Sequence, residues 1–418
     1  MILSRGQILP NKEQESIIKN LPYFLLDTLK KPNPITIEKV IQACDTIAQK
    51  VLKGDYNDFL KPLLAQLDYS EADFGAATKL FTKEALTYKC QIELGTLEPY
   101  NGTVKRQRYP LGVLFHIAAG NVDGLPAYSV LEGLLVGNIN LLKLPAGDQG
   151  LSIFILSELI KIEPDLAEYI YVFDVPSTEL ESLKQLAVLA DAVVVWGGDV
   201  AVQAAKDMVD IKTKVIAWGH KLSFAYATLG STDEQLMGLA THICETNQLL
   251  CSSCQGIYID TDNRDQQDRF AKRFFDIFNN VNNNFKPVPN ELRAGNAIHL
   301  YNEQLEEHAT KNKIFIGQGC SVISKDDAEL ELSYLFRNVW IKRLPRNRII
   351  DTLKHHKSHL QTVGLCVEEH DKLALSNEFA KTGLVRIYTG RTMSRTLPGE
   401  AHDGTYPLRE YSRVVEIE

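Results

Sequence analysis

The hydrophobic and polar positions of the first hundred residues follow a helical period. Apolar side chains recur at spacings of three and four residues, first at Ile17, Ile18 and Leu21 and later at Val40 and Ile47. An α-helix turns once every 3.6 residues, so this spacing places the apolar side chains on one face of each helix. Prolines interrupt the pattern between these runs. The sequence therefore predicts an N-terminal helical region over residues 1–100.

From residue 111 the pattern changes to short apolar runs that alternate with amphipathic stretches. The apolar runs predict buried strands at residues 111–118, 139–144, 169–174, 192–196 and 214–218. The stretches between them predict helices at residues 126–136, 149–162, 178–189 and 199–208. Strands separated by helices of this length form a parallel sheet through right-handed crossovers. We therefore expect an α/β, doubly wound, Rossmann-like cofactor-binding domain over residues 101–230.

A second α/β region is predicted to follow over residues 231–385. Its predicted elements are a helix at 231–247, a strand at 255–260, an aromatic-rich helix at 265–281 and strands at 339–342 and 362–367. The asparagine-rich run 279–284 predicts a polar loop, because Asn side chains compete with regular backbone pairing. One stripe of the aromatic-rich helix predicts packing into a core, and it consists of Phe270, Phe274, Ile277, Phe278 and Val281.

Composition and charge are those of an ordinary globular chain. The 418 residues are 44% hydrophobic and 23% charged, which is enough chain for two domains. A formal net charge of −8 without a long Lys/Arg run argues against a nucleic-acid partner and favours a small-molecule one. The seven cysteines are odd in number and scattered, which predicts reduced thiols. We find neither a signal-peptide core nor an apolar run of membrane-spanning length, so a cytoplasmic location is expected.

The first candidate site residue follows the first strand of the predicted parallel sheet. The segment YPLGVLFHIAAGN (109–121) carries an apolar strand directly into Gly120 and Asn121. Ligands of open α/β sheets bind at the carboxyl ends of the strands. The carboxamide of Asn121 can donate to a developing oxyanion there, and the alternative is a turn residue that closes the strand.

Two other strand ends carry candidate cofactor-binding residues. Lys143 and Pro145 end the second strand, where an ammonium group can reach a ribose hydroxyl or a phosphate, although a solvated lysine is the commoner case. Trp196, Gly197 and Gly198 end the fourth strand, immediately before a predicted helix. Glycines let a phosphate approach the backbone N–H groups at a helix N-terminus, while a simple tight turn explains them equally well.

Cys251 is the candidate nucleophile. It lies in the segment NQLLCSSCQ (247–255), between a predicted helix and a predicted strand, where a thiol is accessible and local dipoles can activate it. The alternatives are a buried thiol or, together with Cys254, a metal or redox pair. A single CxxC without further ligands is a poor metal site, and a redox dithiol normally opens a helix after a strand. We therefore predict no metal.

Taken in order, these four segments resemble the aldehyde-dehydrogenase superfamily, with its strand-end Asn, Lys-x-Pro, strand-end Gly-Gly and loop Cys. The LuxC-type acyl-CoA reductase branch is the most similar, through the segments HIAAGN (116–121), WGGD (196–199), GHKLSF (219–224), CSS (251–253) and HDG (402–404) with Leu408. The resemblance covers about residue 105 to the C-terminus. It implies an aldehyde-dehydrogenase-like fold, in which 231–385 is the catalytic domain and 386–418 is a C-terminal segment that returns to the domain interface.

The resemblance also implies an activity, NAD(P)H-dependent reduction of an acyl-CoA, with a fatty acyl group, to an aldehyde. In that reaction Cys251 attacks the thioester and becomes acylated, and Asn121 and the backbone N–H of Cys251 stabilise the oxyanion. The residues implied to bind the cofactor are Lys143, Pro145, Trp196, Gly197 and Gly198. The implied partners are an acyl-CoA or another acyl thioester, with a homo-oligomer or an acyl-donor protein also compatible.

Two departures from the superfamily pattern refine this expectation. Ala217 stands where hydrolytic members hold the general-base glutamate, so an acyl-enzyme here can survive until hydride arrives. Ala146, three residues after Lys143, stands where NAD-preferring members often carry an acid. NADPH is therefore favoured over NADH, although the nearby Asp148 keeps NADH possible.

Some roles remain open at the level of sequence. His402, His220 or Asp403 could shuttle a proton, and a satisfied structural histidine is the alternative interpretation of each histidine. A cysteine acyltransferase could use the same acyl-enzyme without a cofactor. A catalytically silent interaction subunit would keep the fold and lose turnover.

Overall fold

A computed structural model of the chain describes residues 1–66, 71–97, 103–118, 120 and 124–418. The strands are β1 (Ile2–Ser4), β2 (Gln7–Leu9), β3 (Lys105–Pro110), β4 (Val113–Ile117), β5 (Ile139–Lys143), β6 (Ile170–Phe173), β7 (Ala192–Trp196), β8 (Lys214–Trp218), β9 (Leu222–Ala227), β10 (Cys254–Ile259), β11 (Lys313–Ile316), β12 (Ser321–Ser324), β13 (Asn338–Arg343), β14 (Leu360–Cys366), β15 (Arg386–Thr389) and β16 (Ser412–Ile417). The α-helices are α1 (Gln14–Lys30), α2 (Ile37–Lys53), α3 (Asn57–Gln66), α4 (Glu71–Thr78), α5 (Lys83–Leu94), α6 (Leu125–Leu135), α7 (Leu151–Ile162), α8 (Leu180–Val188), α9 (Asp199–Met208), α10 (Asp233–Thr246), α11 (Arg264–Asn282), α12 (Asn290–Thr310), α13 (Ile349–Leu353), α14 (Glu369–Thr382) and α15 (Pro407–Glu410).

The chain divides into two compact units, one formed by Met1–Gly219 with Thr396–Glu418 and the other by His220–Arg395. The first unit begins with the hairpin β1–β2, which the sequence did not predict, and continues with helices α1 to α5. Local signals delimit α2, because the Thr36 hydroxyl accepts from the Lys39 N–H at 3.3 Å and Gly54 ends the helix at φ 86°. The predicted N-terminal helical region is confirmed.

The first unit contains a seven-stranded sheet in the order β2-β1-β6-β5-β4-β7-β8. Its strands β4 to β8 are parallel, and helices α6 to α9 connect them. Strands β4 to β7 are buried almost throughout, whereas the edge strand β8 is partly exposed. Strand β4 pairs with β5 on one side and with β7 on the other. The strand order therefore reverses at β4, and in open α/β sheets such a switch point is where ligands bind. The predicted doubly wound parallel sheet is confirmed.

The second unit contains another seven-stranded sheet, in the order β11-β12-β13-β10-β9-β14-β15. All neighbouring pairs are parallel except β11 with β12. Helix α11 packs its aromatic stripe into the core of this unit, since Phe270, Phe274 and Phe278 are buried. The core assignment of that stripe is confirmed, whereas β9, which is buried along its whole length, was not predicted.

One sequence prediction about this unit is wrong. Residues 279–282, predicted as part of a polar loop, form the last turn of α11. The Asn282 side chain accepts from Arg337 at 2.8 Å and donates to the Gln318 carbonyl at 3.0 Å. Because tertiary partners satisfy the carboxamide, it does not compete with the helical backbone, and the local preference of asparagine is overridden.

The seven cysteines carry free thiols, and Cys251 is exposed while the other six are buried. Within the described ranges, every helix is too short or too polar to cross a membrane. Burial raises the pKa of the Cys44, Cys244 and Cys366 thiols above the usual range for cysteine. Cys251 is therefore the cysteine most accessible to a reagent or substrate.

Candidate active site

Cys251 lies in a tight turn between α10 and β10 in the second unit. Helix α10 begins after a capping box at Thr232, and its C-cap, Asn247, has a left-handed backbone with φ 46°. Gln248 is also left-handed, at φ 65°, so the chain reverses sharply before it enters β10. The predicted setting of Cys251, between a helix and a strand, is what the structure has.

Polar side chains fix this turn from several directions. Ser223, on β9, donates its hydroxyl to the Cys251 carbonyl at 2.7 Å and accepts from the Thr362 N–H of β14 at 3.1 Å. The Ser252 hydroxyl donates to Ser394 at 2.9 Å. The buried Gln248 amide donates to the Cys254 carbonyl at 3.1 Å. The backbone that carries the nucleophile is thereby held against two strands of the sheet.

The Cys251 sulfur accepts from a side-chain donor that no sequence motif indicated. Gln361, the second residue of β14, donates its Nε2 to Cys251 Sγ at 3.3 Å. Only 3% of Gln361 is exposed. The available signal was a Gln-Thr pair inside an otherwise apolar buried strand, and such a pair is commonly explained by sheet packing alone.

Cys254 has the opposite environment, although it is only three residues away. It is fully buried, and burial raises the pKa of its thiol. Its Sγ contacts the Gly256 carbonyl at 3.2 Å, and its backbone N–H donates to His242 Nε2 at 3.3 Å. The two sulfurs of the CxxC segment thus have different partners.

Among the residues that the structure describes, one group has ligand atoms close enough to hold a metal ion. Glu329 Oε2 lies 3.9 Å from His355 Nε2 and 3.5 Å from His356 Nε2. The Glu329 side chain is 72% exposed, and an exposed acidic group beside histidines is common without a metal ion. We assign no metal chemistry to this group.

In the first unit, Lys143 ends β5 and is buried, which rules out the solvated strand-end lysine. Its Nζ donates to Ser177 Oγ at 3.0 Å. Burial lowers the pKa of Lys143, and the charge of Asp174 opposes that shift. An ammonium group at this strand end can exchange or share its Ser177 contact with a hydroxyl or phosphate of a bound ligand.

Gly197 and Gly198 join β7 to α9. The Gly197 N–H donates to the Trp218 carbonyl of the neighbouring strand at 3.2 Å. Gly198 is the N-cap of α9 and has no side chain to cap the helix. Among the described residues, no atom lies within 4 Å of a Cβ built on Gly198, so those residues leave space in front of the helix N-terminus. Backbone N–H groups at such a position suit an anionic phosphate.

The Trp196 side chain points into the first unit, where it is largely buried. Its Nε1 donates to Ser129 Oγ at 3.0 Å, and its ring centroid lies 5.6 Å from that of Trp218.

His402, from the C-terminal segment, packs edge-on against the Trp196 and Trp218 rings, with centroids 4.9 and 4.8 Å away. Its Nε2 lies 3.8 Å from the Asp403 carboxylate. The candidate shuttles His402 and Asp403 are therefore adjacent, whereas His220 is an exposed residue of the second unit.

His116, in the middle of the first motif, belongs to a buried hydrogen-bonded chain below the strand ends. Its Nε2 lies 3.0 Å from Asn140 Oδ1, and its Nδ1 lies 2.7 Å from Ser129 Oγ. The Asn140 amide donates to backbone carbonyls, so its oxygen accepts from Nε2–H of His116. Ser129 then donates to Nδ1 and accepts from Trp196, which satisfies every member. Burial lowers the pKa of His116 to about 4, so the ring is neutral and structural.

Asn121 lies outside the described residues, so its predicted role stays a prediction. Its neighbour Gly120 lies against the end of β5. A Cβ built on Gly120 would come within 3.2 Å of Pro145 Cβ and 3.5 Å of the Ala146 carbonyl. Glycine at position 120 therefore permits a close approach between the chain that follows β4 and the chain that follows β5.

The residues that bear on cofactor choice and deacylation also have defined surroundings. Asp148 accepts from the Gly150 N–H at 2.8 Å and from the Ser152 hydroxyl at 3.2 Å, at the start of α7. Its carboxylate oxygens are thus already engaged beside that helix, while Ala146 is exposed. Ala217, on β8, is exposed although its neighbours Ile216 and Trp218 are buried.

Comparison with known proteins places this geometry in a family. Residues 33–414 match the family described as acyl-CoA reductase (LuxC). The long-chain acyl-protein thioester reductase of Vibrio harveyi is 24% identical over 408 residues, which cover 92% of this chain and 83% of that protein. The protein of the same name from Aliivibrio fischeri is 24% identical over 442 residues, covering 98% of this chain and 88% of that one.

Solved structures show the fold. Aldehyde dehydrogenase 21 from Physcomitrella patens superposes with a TM-score of 0.71 at 14% identity, covering 98% of this chain and 90% of that chain. The glyceraldehyde-3-phosphate dehydrogenase GapN from Methanocaldococcus jannaschii, solved with NADP, gives a TM-score of 0.69 at 13% identity, covering 98% and 95%. The chain has the aldehyde-dehydrogenase fold, and the match over 382 of its residues, 33 to 414, shows that it belongs to the acyl-CoA reductase (LuxC) family.

Proposed function

We propose that the chain reduces a fatty acyl thioester, with acyl-CoA as the donor, to an aldehyde through a covalent intermediate on Cys251, using NADPH. The observation that carries the proposal is the exposed Cys251 thiol, held in a fixed turn with an amide donor on its sulfur. The relatives named long-chain acyl-protein thioester reductases support the thioester class and a long acyl chain. Family membership supports coenzyme A as the carrier.

In the first half of the reaction, the thiolate of Cys251 attacks the carbonyl carbon of the thioester. The Asn121 carboxamide and the Cys251 N–H stabilise the oxyanion that forms, and each well-placed donor is worth about 3–4 kcal/mol. Collapse of this oxyanion expels the coenzyme A thiolate, which takes up a proton from water, and leaves the acyl group on Cys251. The Ser223 bond to the Cys251 carbonyl keeps the nucleophile in place during this exchange.

The first unit has groups that fit a dinucleotide. Lys143 would bind ribose hydroxyls, and the α9 N-terminus at Gly198 would bind a pyrophosphate, which the buried ammonium and the space that the described residues leave at Gly198 support. Pro145, Gly197 and Trp196 shape this edge of the sheet, with the Trp196 ring fixed by Ser129. When bound, reduced nicotinamide supplies a hydride.

In the second half, the acyl carbon on Cys251 accepts that hydride and becomes a thiohemiacetal oxyanion. The donors that served the first oxyanion also serve this one, because charge develops on the same oxygen. The C–S bond then breaks, the aldehyde leaves, and the Cys251 thiolate is restored. The overall reaction consumes one hydride and one proton for each thioester.

NADPH is proposed over NADH because of two residues beside Lys143. Ala146 offers no carboxylate to bind the ribose hydroxyls of NADH. Asp148, the other candidate acid, already bonds to Gly150 and Ser152 at the helix start. A carboxylate whose oxygens already accept these two hydrogen bonds is a poor additional ligand for a ribose.

The test is intact mass spectrometry after incubation with acyl-CoAs of increasing chain length, followed by addition of NADPH. Wild-type protein should gain one acyl group without cofactor and release aldehyde when NADPH is added. Cys251→Ala should do neither, and Cys254→Ala, the matched control at a buried thiol, should do both. Acylation at Cys254 alone would overturn the proposal. Acylation without aldehyde formation would point to an acyltransferase.

A further inference from the structure

We propose that Gln361 is a catalytic residue that holds Cys251 as a reactive thiolate by donating a hydrogen bond to its sulfur. This inference rests on the proposed function in assigning Cys251 as the nucleophile. Gln361 belongs to none of the motifs that identify the site. It contacts the reacting atom itself, at 3.3 Å from Nε2 to Sγ.

The local structure of the sheet aims Gln361 at the turn. The register between β14 and β9 shifts between Leu360 and Val363, and a shift of this kind redirects side chains. Within the shift, the Thr362 N–H donates to the Ser223 hydroxyl rather than to a ladder carbonyl. Ser223 in turn donates to the Cys251 carbonyl. One irregularity thus fixes the Cys251 backbone through Ser223 and presents the Gln361 amide to the Cys251 sulfur.

Burial makes the Gln361 contact effective. Gln361 is 3% exposed, so water does not compete strongly for its amide hydrogen. A hydrogen bond to the charged form of an acid stabilises that form and lowers its pKa. An amide is also uncharged and keeps its N–H protons across the whole working pH range. Gln361 therefore favours the thiolate at any pH without acting as a base, and it orients Sγ for attack.

The test is the pH dependence of alkylation of the full chain by iodoacetamide, without thioester or cofactor. Only a thiolate reacts, and the other six cysteines are buried, so mass spectrometry follows a single adduct on Cys251. Gln361→Met keeps the side-chain volume and removes the donor. We expect it to raise the apparent pKa of Cys251 by about one unit and to slow alkylation at pH 7 about tenfold.

Two further variants separate the hydrogen bond from packing. Gln361→Glu places a carboxylate beside the sulfur and should raise the apparent pKa of Cys251 further than Gln361→Met does. Gln361→Asn keeps the amide but is one methylene shorter, so its apparent Cys251 pKa should lie between those of wild type and Gln361→Met. Because Gln361→Asn retains a polar amide, it also provides a test if Gln361→Met folds poorly. Gln304→Ala, at an exposed position on α12, is the matched control and should react like wild type.

Superimposable pH profiles for wild type, Gln361→Met and Gln361→Asn would overturn the inference. That result is distinguishable from failure of the proposed function, because alkylation requires no substrate. If wild-type Cys251 alkylates with a profile that depends on Gln361 but never forms an acyl-enzyme, the proposed function fails and the role of Gln361 stands. If both stand, Gln361→Met should slow acyl-enzyme formation while the KM for NADPH stays unchanged.

Discussion

Single residues decide whether a thiol, an amine or a carboxylate is available for chemistry. Cys251 and Cys254 are separated by one turn of chain, yet Cys254 starts β10 and points into the core while Cys251 is exposed. Asp148 already accepts from Gly150 and Ser152. The Lys143 ammonium, at a strand end, donates to the Ser177 hydroxyl. Residue type and motif order predicted the candidates. Whether each candidate is available for chemistry depends on its burial and its hydrogen-bond partners, and these cannot be read from the sequence.

At this scale we expect one substitution to change the cofactor preference. Ala146→Glu places a carboxylate three residues after Lys143, where it can accept from the ribose hydroxyls of NADH and repel the 2′-phosphate of NADPH. The ratio of kcat/KM for NADPH to that for NADH should fall at least about tenfold, which corresponds to about 1.4 kcal/mol. Steady-state aldehyde formation with each cofactor measures it.

Asp148→Asn is the matched control for that change. It removes the neighbouring charge but keeps an oxygen that can accept from Gly150, so the start of α7 is preserved. The cofactor ratio should stay within about twofold of wild type. A large shift toward NADPH in this variant would mean that Asp148, and not the absence of an acid at position 146, sets the preference.

Whole elements were predictable where the hydrophobic period was undisturbed. The predicted strands 192–196 and 214–218 and the helix 199–208 coincide with β7, β8 and α9. Prediction failed where residues distant in sequence determine the local structure. In the last turn of α11, Arg337 donates to the Asn282 side chain, so this asparagine remains helical. Prediction also missed Gln361, because the register shift that aims this side chain arises from pairing between β9 and β14. Pairing between strands that are distant in the chain leaves no local pattern in the sequence.

The His116 chain links β4, α6, β5 and β7, and it makes a prediction about pH. The pKa of His116 is lowered to about 4 by burial, below the ordinary value of 6.5 in the unfolded chain. Its contribution to folding is therefore complete above pH 6.5 and is lost as the pH falls from 6.5 toward 4, by about 3 kcal/mol in all. His116→Gln keeps a donor and an acceptor but does not titrate.

We expect the melting temperature of His116→Gln to be lower than that of wild type at pH 8 and to decline less steeply between pH 6.5 and 4. The remaining decline includes His242, whose pKa burial also lowers to about 4. His370→Gln, at a side chain that is 79% exposed, should follow the wild-type curve. Parallel curves for wild type and His116→Gln would contradict the assignment of a neutral, structural His116.

At the scale of the whole molecule, the first unit depends on contacts between its C-terminal segment and residues far earlier in the chain. Strand β16 pairs antiparallel with β3, and the Leu408 N–H donates to the buried Glu93 carboxylate at 2.9 Å. The same C-terminal segment brings His402 onto Trp196 and Trp218. The sequence motif that contains His402 was recognised, but its packing partners lie about two hundred residues earlier. Those contacts could be predicted only through family resemblance.

The outcome of the whole reaction depends on whether water or hydride reaches the acyl group first. With Ala217 in place of a general-base glutamate, the acyl-enzyme formed without cofactor should persist long enough to isolate, and NADPH should then release aldehyde rather than acid. Ala217→Glu should shorten that lifetime and divert part of the acyl group to fatty acid. Intact mass against time, with product analysis, measures both effects.

Because of the surroundings of Ala217, the Ala217→Glu substitution can change deacylation without a large loss of stability. The sequence pattern suggested a buried position where an unpaired charge would be costly, but Ala217 is exposed between buried neighbours on β8. A carboxylate there keeps its hydration, so the melting temperature should change by only a few degrees. Ala217→Gln, which has the same size but no basicity, should leave the acyl-enzyme as long-lived as in wild type. If the wild-type intermediate hydrolyses within seconds without cofactor, another group activates water, and an acid-forming dehydrogenase or thioesterase becomes the better assignment.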